Sequence, residues 1–191
     1  MKKHKGFLIF LVLLLCAMPL AGVWAEESQT ATPAAWREAI ADAMEEMGVP
    51  LETPFSLNED FGEDRIGGWP YLLYDATAHD AWVYFDQFLL DEDTVNRYFA
   101  CLLLYNGNVP EDAYDEAYDL FAEVAVRCML AADASWTEEE ARATLADLSE
   151  RERTDPPKKP GDIRVIRNGL LYHVGLWQGD RMFRLAIESV E

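Results

Sequence analysis

The chain has 191 residues, and its 16 Lys and Arg against 35 Asp and Glu give a formal charge of −19 at neutral pH. So strong an acidic excess argues against nucleic acid and anionic membrane surfaces as partners. Half of the residues are hydrophobic, enough to bury a core, and three cysteines are too few for a scaffold held together by disulfides.

The start of the chain reads as a leader. Lys2, Lys3 and Lys5 precede an uncharged stretch from Gly6 to Ala25, which Glu26 and Glu27 end. This is the layout of a secretory signal peptide over residues 1–25, cleaved after Ala25. The alternative is an uncleaved anchor, because about 20 uncharged residues barely span a bilayer; Pro19, Ala21 and Gly22 weigh against it. Membrane attachment is expected only if the leader stays. Lipidation at Cys16 is disfavoured by the bulky Leu13, Leu14 and Leu15 before it.

Residues 26–35 (EESQTATPAA) are small and polar and read as a linker, leaving 36–191 as a single domain. A helix from about Pro33 to Met47 is predicted by Trp36, Ile40, Ala43, Met44 and Met47, with Gly48 as its stop. Pro50, Pro54, Gly62, Gly67 and Gly68 then mark a long acidic loop. Tyr71–Tyr74 and Ala81–Phe85 suggest two strands of a hairpin. A helix over Ala78–Leu90 is the rival, since Ala78, Trp82, Phe85, Phe88 and Leu89 also fit a helical stripe.

Three central helices are expected next. Asp91 to Tyr105 is apolar on nearly every side after Arg97 and reads as a buried helix ended by Asn106 and Gly107. Pro110 opens a long amphipathic helix to about Ala134. Thr137 with Glu140 forms a capping box for a third helix, ending near Arg153. If the first two lie antiparallel, Cys128 sits roughly 20 Å along the axis from Cys101, whereas a disulfide needs Cα atoms within about 7 Å. Two reduced, buried thiols are expected.

The C-terminal segment carries the strongest pattern. Asn168-Gly169 and Gly179-Asp180 are two-residue hairpin turns, and they fix a register: Arg167 with Leu170, Val165 with Tyr172, Leu176 with Phe183, Val174 with Leu185, Tyr172 with Ile187. One face of this three-stranded meander, with Ile163, Val165, Tyr172, Val174, Leu176, Phe183, Leu185 and Ile187, is apolar and expected to pack on the helices. The opposite face carries Arg164, Ile166, Leu171, His173, Gly175, Trp177, Met182, Arg184, Ala186 and Glu188.

Charge adds to the contrast between the two regions. Residues 26–150 hold 5 Lys and Arg against 29 Asp and Glu, while residues 151–191 hold 8 against 6. The acidic body solvates the chain or offers a surface to a cationic partner. Arg164, His173, Trp177 and Arg184 make the second meander face the candidate binding surface, since Trp and Arg favour such sites.

No Gly-x-Ser-x-Gly elbow, phosphate loop or dinucleotide fingerprint occurs, and neither His79 nor His173 has metal-ligand spacing. His79 with Asp80 and Asp75 fits a polar turn better than an acid/base site. Asn58, Asp60 and Asp64 are weak calcium candidates without the EF-hand order of ligands. No cofactor and no catalytic residue is assigned. The expectation is an α+β domain with an N-terminal helix, a strand pair, three central helices and a C-terminal meander. Functionally it is expected to be an exported, non-catalytic module binding a protein or small molecule. The alternative is a secreted carboxylate-dependent hydrolase.

Overall fold

A computed structural model describes residues 30–57, 65–70, 73–74, 80–89, 95–104, 111–154, 163–177 and 182–190. The expected leader with the start of the expected linker, the calcium candidates Asn58, Asp60 and Asp64, His79, and the expected turns at Asn106–Val109 and Gly179-Asp180 lie outside these residues. The architecture is α+β. Among the described residues there are three helices, α1 (Pro33–Glu46), α2 (Glu111–Ala132) and α3 (Glu138–Thr154), and eight strands. The strands are β1 (Leu51–Leu57), β2 (Arg65–Pro70), β3 (Leu73–Tyr74), β4 (Asp80–Leu89), β5 (Val95–Leu104), β6 (Arg164–Arg167), β7 (Leu170–Trp177) and β8 (Met182–Ser189). They form one antiparallel sheet in the order β1-β2-β4-β5-β8-β7-β6, with β3 paired to β4.

Local chemistry sets the helix ends. The Thr32 hydroxyl accepts from the Ala35 amide at 3.3 Å, and Pro33 follows where a missing N–H is harmless. Gly48, at φ 74°, turns the chain out of α1, while the Val49 amide donates to the Met44 carbonyl at 2.9 Å. At α3 the expected capping box is formed: the Glu140 amide donates to the Thr137 hydroxyl at 3.2 Å, and the Thr137 amide to the Glu140 carboxylate at 3.1 Å. The same Thr137 amide holds the Glu140 carboxyl below its ordinary range. Arg142 then ties α3 to α2 through a two-point contact with Glu123 at 2.6 and 2.7 Å.

One face of the sheet, the inner face, holds the core against all three helices. Trp36 of α1 is fully buried, with ring centroids 5.7 Å from Phe55, 6.4 Å from Phe85 and 4.8 Å from Tyr98. Phe183 of β8 is packed by Tyr114, Tyr118 and Phe121 of α2. Trp136, just before α3, meets Tyr172 of β7 edge-on at 5.4 Å. Burying a side chain such as Phe85 or Phe183 stabilises the fold by about 1.5–3 kcal/mol each.

Several expectations are corrected. The loop predicted over residues 50–68 contains the β1–β2 pair. Pro54 is tolerated because β1 is an edge strand, and it lies in the register shift between Thr53 and Ser56. Asp91–Tyr105 is not the first of three central helices: Val95–Leu104 is the central strand β5, and a short apolar run suits a central strand as well as a buried helix. Two central helices remain. The ambiguous segment after Ala78 resolves as strand β4, paired with β3 as Leu73 with Ala81.

The meander has the predicted register, with Val165 opposite Tyr172, Val174 opposite Leu185 and Leu176 opposite Phe183. It is not a separate sheet, because β8 continues onto β5. Thr30–Ala35, the end of the expected linker, also belong to the fold. Thr30 bridges Asp133, the Ala31 amide donates to the Ala132 carbonyl at 2.9 Å, and the Tyr98 hydroxyl donates to the Ala31 carbonyl at 3.1 Å. Buried Gln87 donates to the Pro33 carbonyl at 3.0 Å and accepts from Arg37, so its amide is satisfied on both sides.

Candidate functional site: the outer face of the sheet

Paired residues in an antiparallel sheet share a face, so the registers place the outer-face positions in rows across the strands. One row runs Trp177, Met182, Leu103, Trp82, from β7 through β8 and β5 to β4. The next is Gly175, Arg184, Cys101, Tyr84. A third runs from β6 as Arg164, His173, Ala186, Phe99, Asp86, and a fourth as Ile166, Leu171, Glu188, Arg97, Phe88. All four sequence-predicted positions, Arg164, His173, Trp177 and Arg184, therefore fall on one face. Trp177 is placed there by its backbone alone, its side chain lying outside the described set.

Their surroundings differ. Arg164 is exposed at the β6 edge, whereas His173 is only 7% exposed and Arg184 is half-buried. His173 Nε2 lies 3.1 Å from Glu188 Oε1, and Arg97 Nε forms an ion pair with the same oxygen at 2.9 Å. Burial lowers the His173 pKa and outweighs the opposing pull of Glu188, with Arg184 and Arg97 adding to the depression. The imidazole therefore takes up a proton less readily than a free one, although it sits against a carboxylate.

Arg184 lies at the middle of the face. Its guanidinium carbon is 5.4 Å from the centroid of Phe99, whose ring lies 5.7 Å from that of Tyr84. Burial lowers the pKa of this guanidinium too. Cys101, directly across from Arg184, is buried, and burial pushes its thiol up to about 11 despite the Tyr84 hydroxyl and Arg184 nearby. Asp86 and Cys101 are as buried as any core residue, although the helices lie on the other face. What results is a polar and aromatic layer with three arginines, one imidazole and two carboxylates.

Sequence reasoning missed Tyr84, Asp86, Arg97, Phe99 and Cys101. The signal was present: in VNRYFACLLL the residues Arg97, Phe99 and Cys101 alternate with the inward Tyr98, Ala100 and Leu102. Both described cysteines are free and buried as expected, for a different reason. Cys101 faces outward from a strand and Cys128 sits in the core on α2, so the sheet lies between them. Among the described residues no group of His, Cys, Asp and Glu is arranged to hold a metal ion, and no helix is long and apolar enough to cross a membrane. No family model, curated protein or solved structure matches the chain.

Proposed function

We propose that the chain is an exported, non-catalytic binding module whose ligand, a protein or small molecule, is taken up on the outer face of the sheet. The observation that carries this reading is Arg184. It is a half-buried cation stacked on Phe99 at the centre of a face that the core does not use. Arginine backed by aromatic rings is a favoured anchor for a partner, and Arg164, His173 and Trp177 flank it in the rows above. The leader over residues 1–25 supports export. A cationic partner, by contrast, would meet the acidic helical side, where Glu38, Asp42, Asp115, Glu116 and Asp119 are exposed.

The test is affinity capture from the exported fraction of the protein's own host, with wild type beside a Trp177→Ala, Arg184→Ala double variant. Each retained component is then identified and titrated. A component lost by the double variant, with circular dichroism and melting unchanged, supports the outer face. Equal retention by both removes it. The alternative, a secreted carboxylate-dependent hydrolase, draws on His173 beside Glu188, an imidazole whose pKa burial lowers. Its mark is turnover that Glu188→Gln abolishes.

A further inference from the structure

The β6–β7 turn carries chemistry that the binding reading does not use. Asn168 and Gly169 form a two-residue turn with φ of 49° and 76°, and both are exposed. The Asn168 side-chain amide is nevertheless committed. Its Nδ2 donates to both carboxylate oxygens of Asp133, at 3.2 and 3.0 Å, and lies 2.7 Å from the Ser135 hydroxyl. Asp133 is fully buried and also accepts from the Ser135 amide at 2.9 Å. Arg167, one residue before the turn, donates to the Ser135 hydroxyl and carbonyl at 2.9 and 2.6 Å. On the other side, the Val190 amide donates to the Gly169 carbonyl at 2.8 Å.

An asparagine followed by glycine is the dipeptide most open to attack by its own backbone, because glycine puts no side chain in the way. The Gly169 nitrogen gives its proton to solvent base and bonds to the side-chain carbonyl carbon of Asn168. The bond from that carbon to Nδ2 breaks, and Nδ2, taking a proton back from solvent, leaves as ammonia. Water then opens the cyclic imide at either carbonyl, giving aspartate or isoaspartate. No reactant besides water is needed. Ring closure, however, requires the side chain to swing back over its own backbone, away from Asp133 and Ser135.

We propose that Asn168 is a latent site of spontaneous deamidation, held off in the folded protein by Asp133 and Ser135 and released when the turn opens. The product would not return to the native arrangement. An aspartate at this position sets a second carboxylate against buried Asp133, where like charges repel and the Nδ2 donor is gone. Isoaspartate lengthens the backbone inside a two-residue turn that fixes Arg167 opposite Leu170. In either form β6, an edge strand of the sheet, loses the Asn168 contact to the α2–α3 connection and is left with that of Arg167.

The experiment is peptide mapping by mass spectrometry of the purified full chain after long incubation at mildly alkaline pH. Four samples are compared: native wild type, wild type in concentrated urea, and native Ser135→Ala and Asp133→Asn. Conversion in native wild type should be slower than in urea by about ten- to a hundred-fold, the factor expected when two or three hydrogen bonds must first break. Ser135→Ala, which leaves the core untouched, should fall between them even if Asp133→Asn does not fold. Conversion as fast in native wild type as in urea, no conversion in urea, or Ser135→Ala indistinguishable from wild type would each overturn the proposal. Asn168→Asp, which imitates one product, should melt at a lower temperature than wild type; equal melting overturns the claim that modification loosens the turn.

Discussion

The guanidinium carbon of Arg167 lies 4.0 Å from the centroid of the Trp136 ring, clamping the end of β6 onto the connection between α2 and α3. The same side chain donates to Ser135 twice and approaches Glu140 at 3.5 Å. Arg167→Ala should cost about 1–3 kcal/mol, combining a cation–π contact with net hydrogen bonds. Arg167→Lys should recover little, because an ammonium cannot stack and donate along two directions at once. Urea unfolding of the three proteins checks this, and a lysine variant as stable as wild type would refute it.

Trp36 joins α1 to β1, β4 and β5 through its three ring contacts. Trp36→Ala should leave a cavity and cost about 3–5 kcal/mol. Trp36→Phe, which keeps a ring in place, should cost clearly less. Denaturant midpoints that move equally for the two would show that the site collapses around any replacement.

His173 predicts how stability depends on pH. Its folded pKa lies below the ordinary 6.5, so the unfolded chain takes up a proton more readily than the folded one. The contribution is fully present above 6.5. It declines as the pH falls below that value and levels off once the folded imidazole is itself protonated. Arg164 opposite, with Arg184 and Arg97 nearby and Glu188 in contact, are the charged groups that oppose or favour this protonation. In His173→Gln the slope of unfolding free energy between about pH 7 and pH 5 should flatten; an unchanged slope assigns it to other groups.

Cys101 and Cys128 should be inert in the native protein. Burial raises both thiols, Cys101 to about 11 and Cys128 further, so little thiolate forms at about pH 8. Iodoacetamide should modify neither in native protein beginning at Glu26 and both in denaturant. Rapid native labelling of Cys101 would mean that the outer face opens readily.

The parts of the fold legible in the sequence are those set by neighbours along the chain. Asn168-Gly169 fixes which residue of β6 meets which of β7, and Thr137 with Glu140 marks where α3 begins. The parts that were not legible depend on distant partners. Whether Tyr98, Ala100 and Leu102 form one side of a helix or of a strand depends on β4 and β8 lying on either side. Pro54 reads as a strand breaker until β1 is known to be an edge. The candidate site divides along the same line: Arg164, His173, Trp177 and Arg184 follow from the meander register, whereas Tyr84, Asp86, Phe99 and Arg97 join them only through the β8–β5 pairing.

That pairing also orders events during synthesis. The Ser189 hydroxyl donates to the Val95 carbonyl, 94 positions earlier, so β5 leaves the ribosome long before the strand that completes it. Until then one side of VNRYFACLLL is an unpaired apolar edge, the kind of segment that recruits other chains. Closure waits for β8. A chain stopped before β8 should therefore collect in aggregates rather than as a smaller folded unit, and full-length protein should fold slowly for its size because its central contacts are distant in sequence.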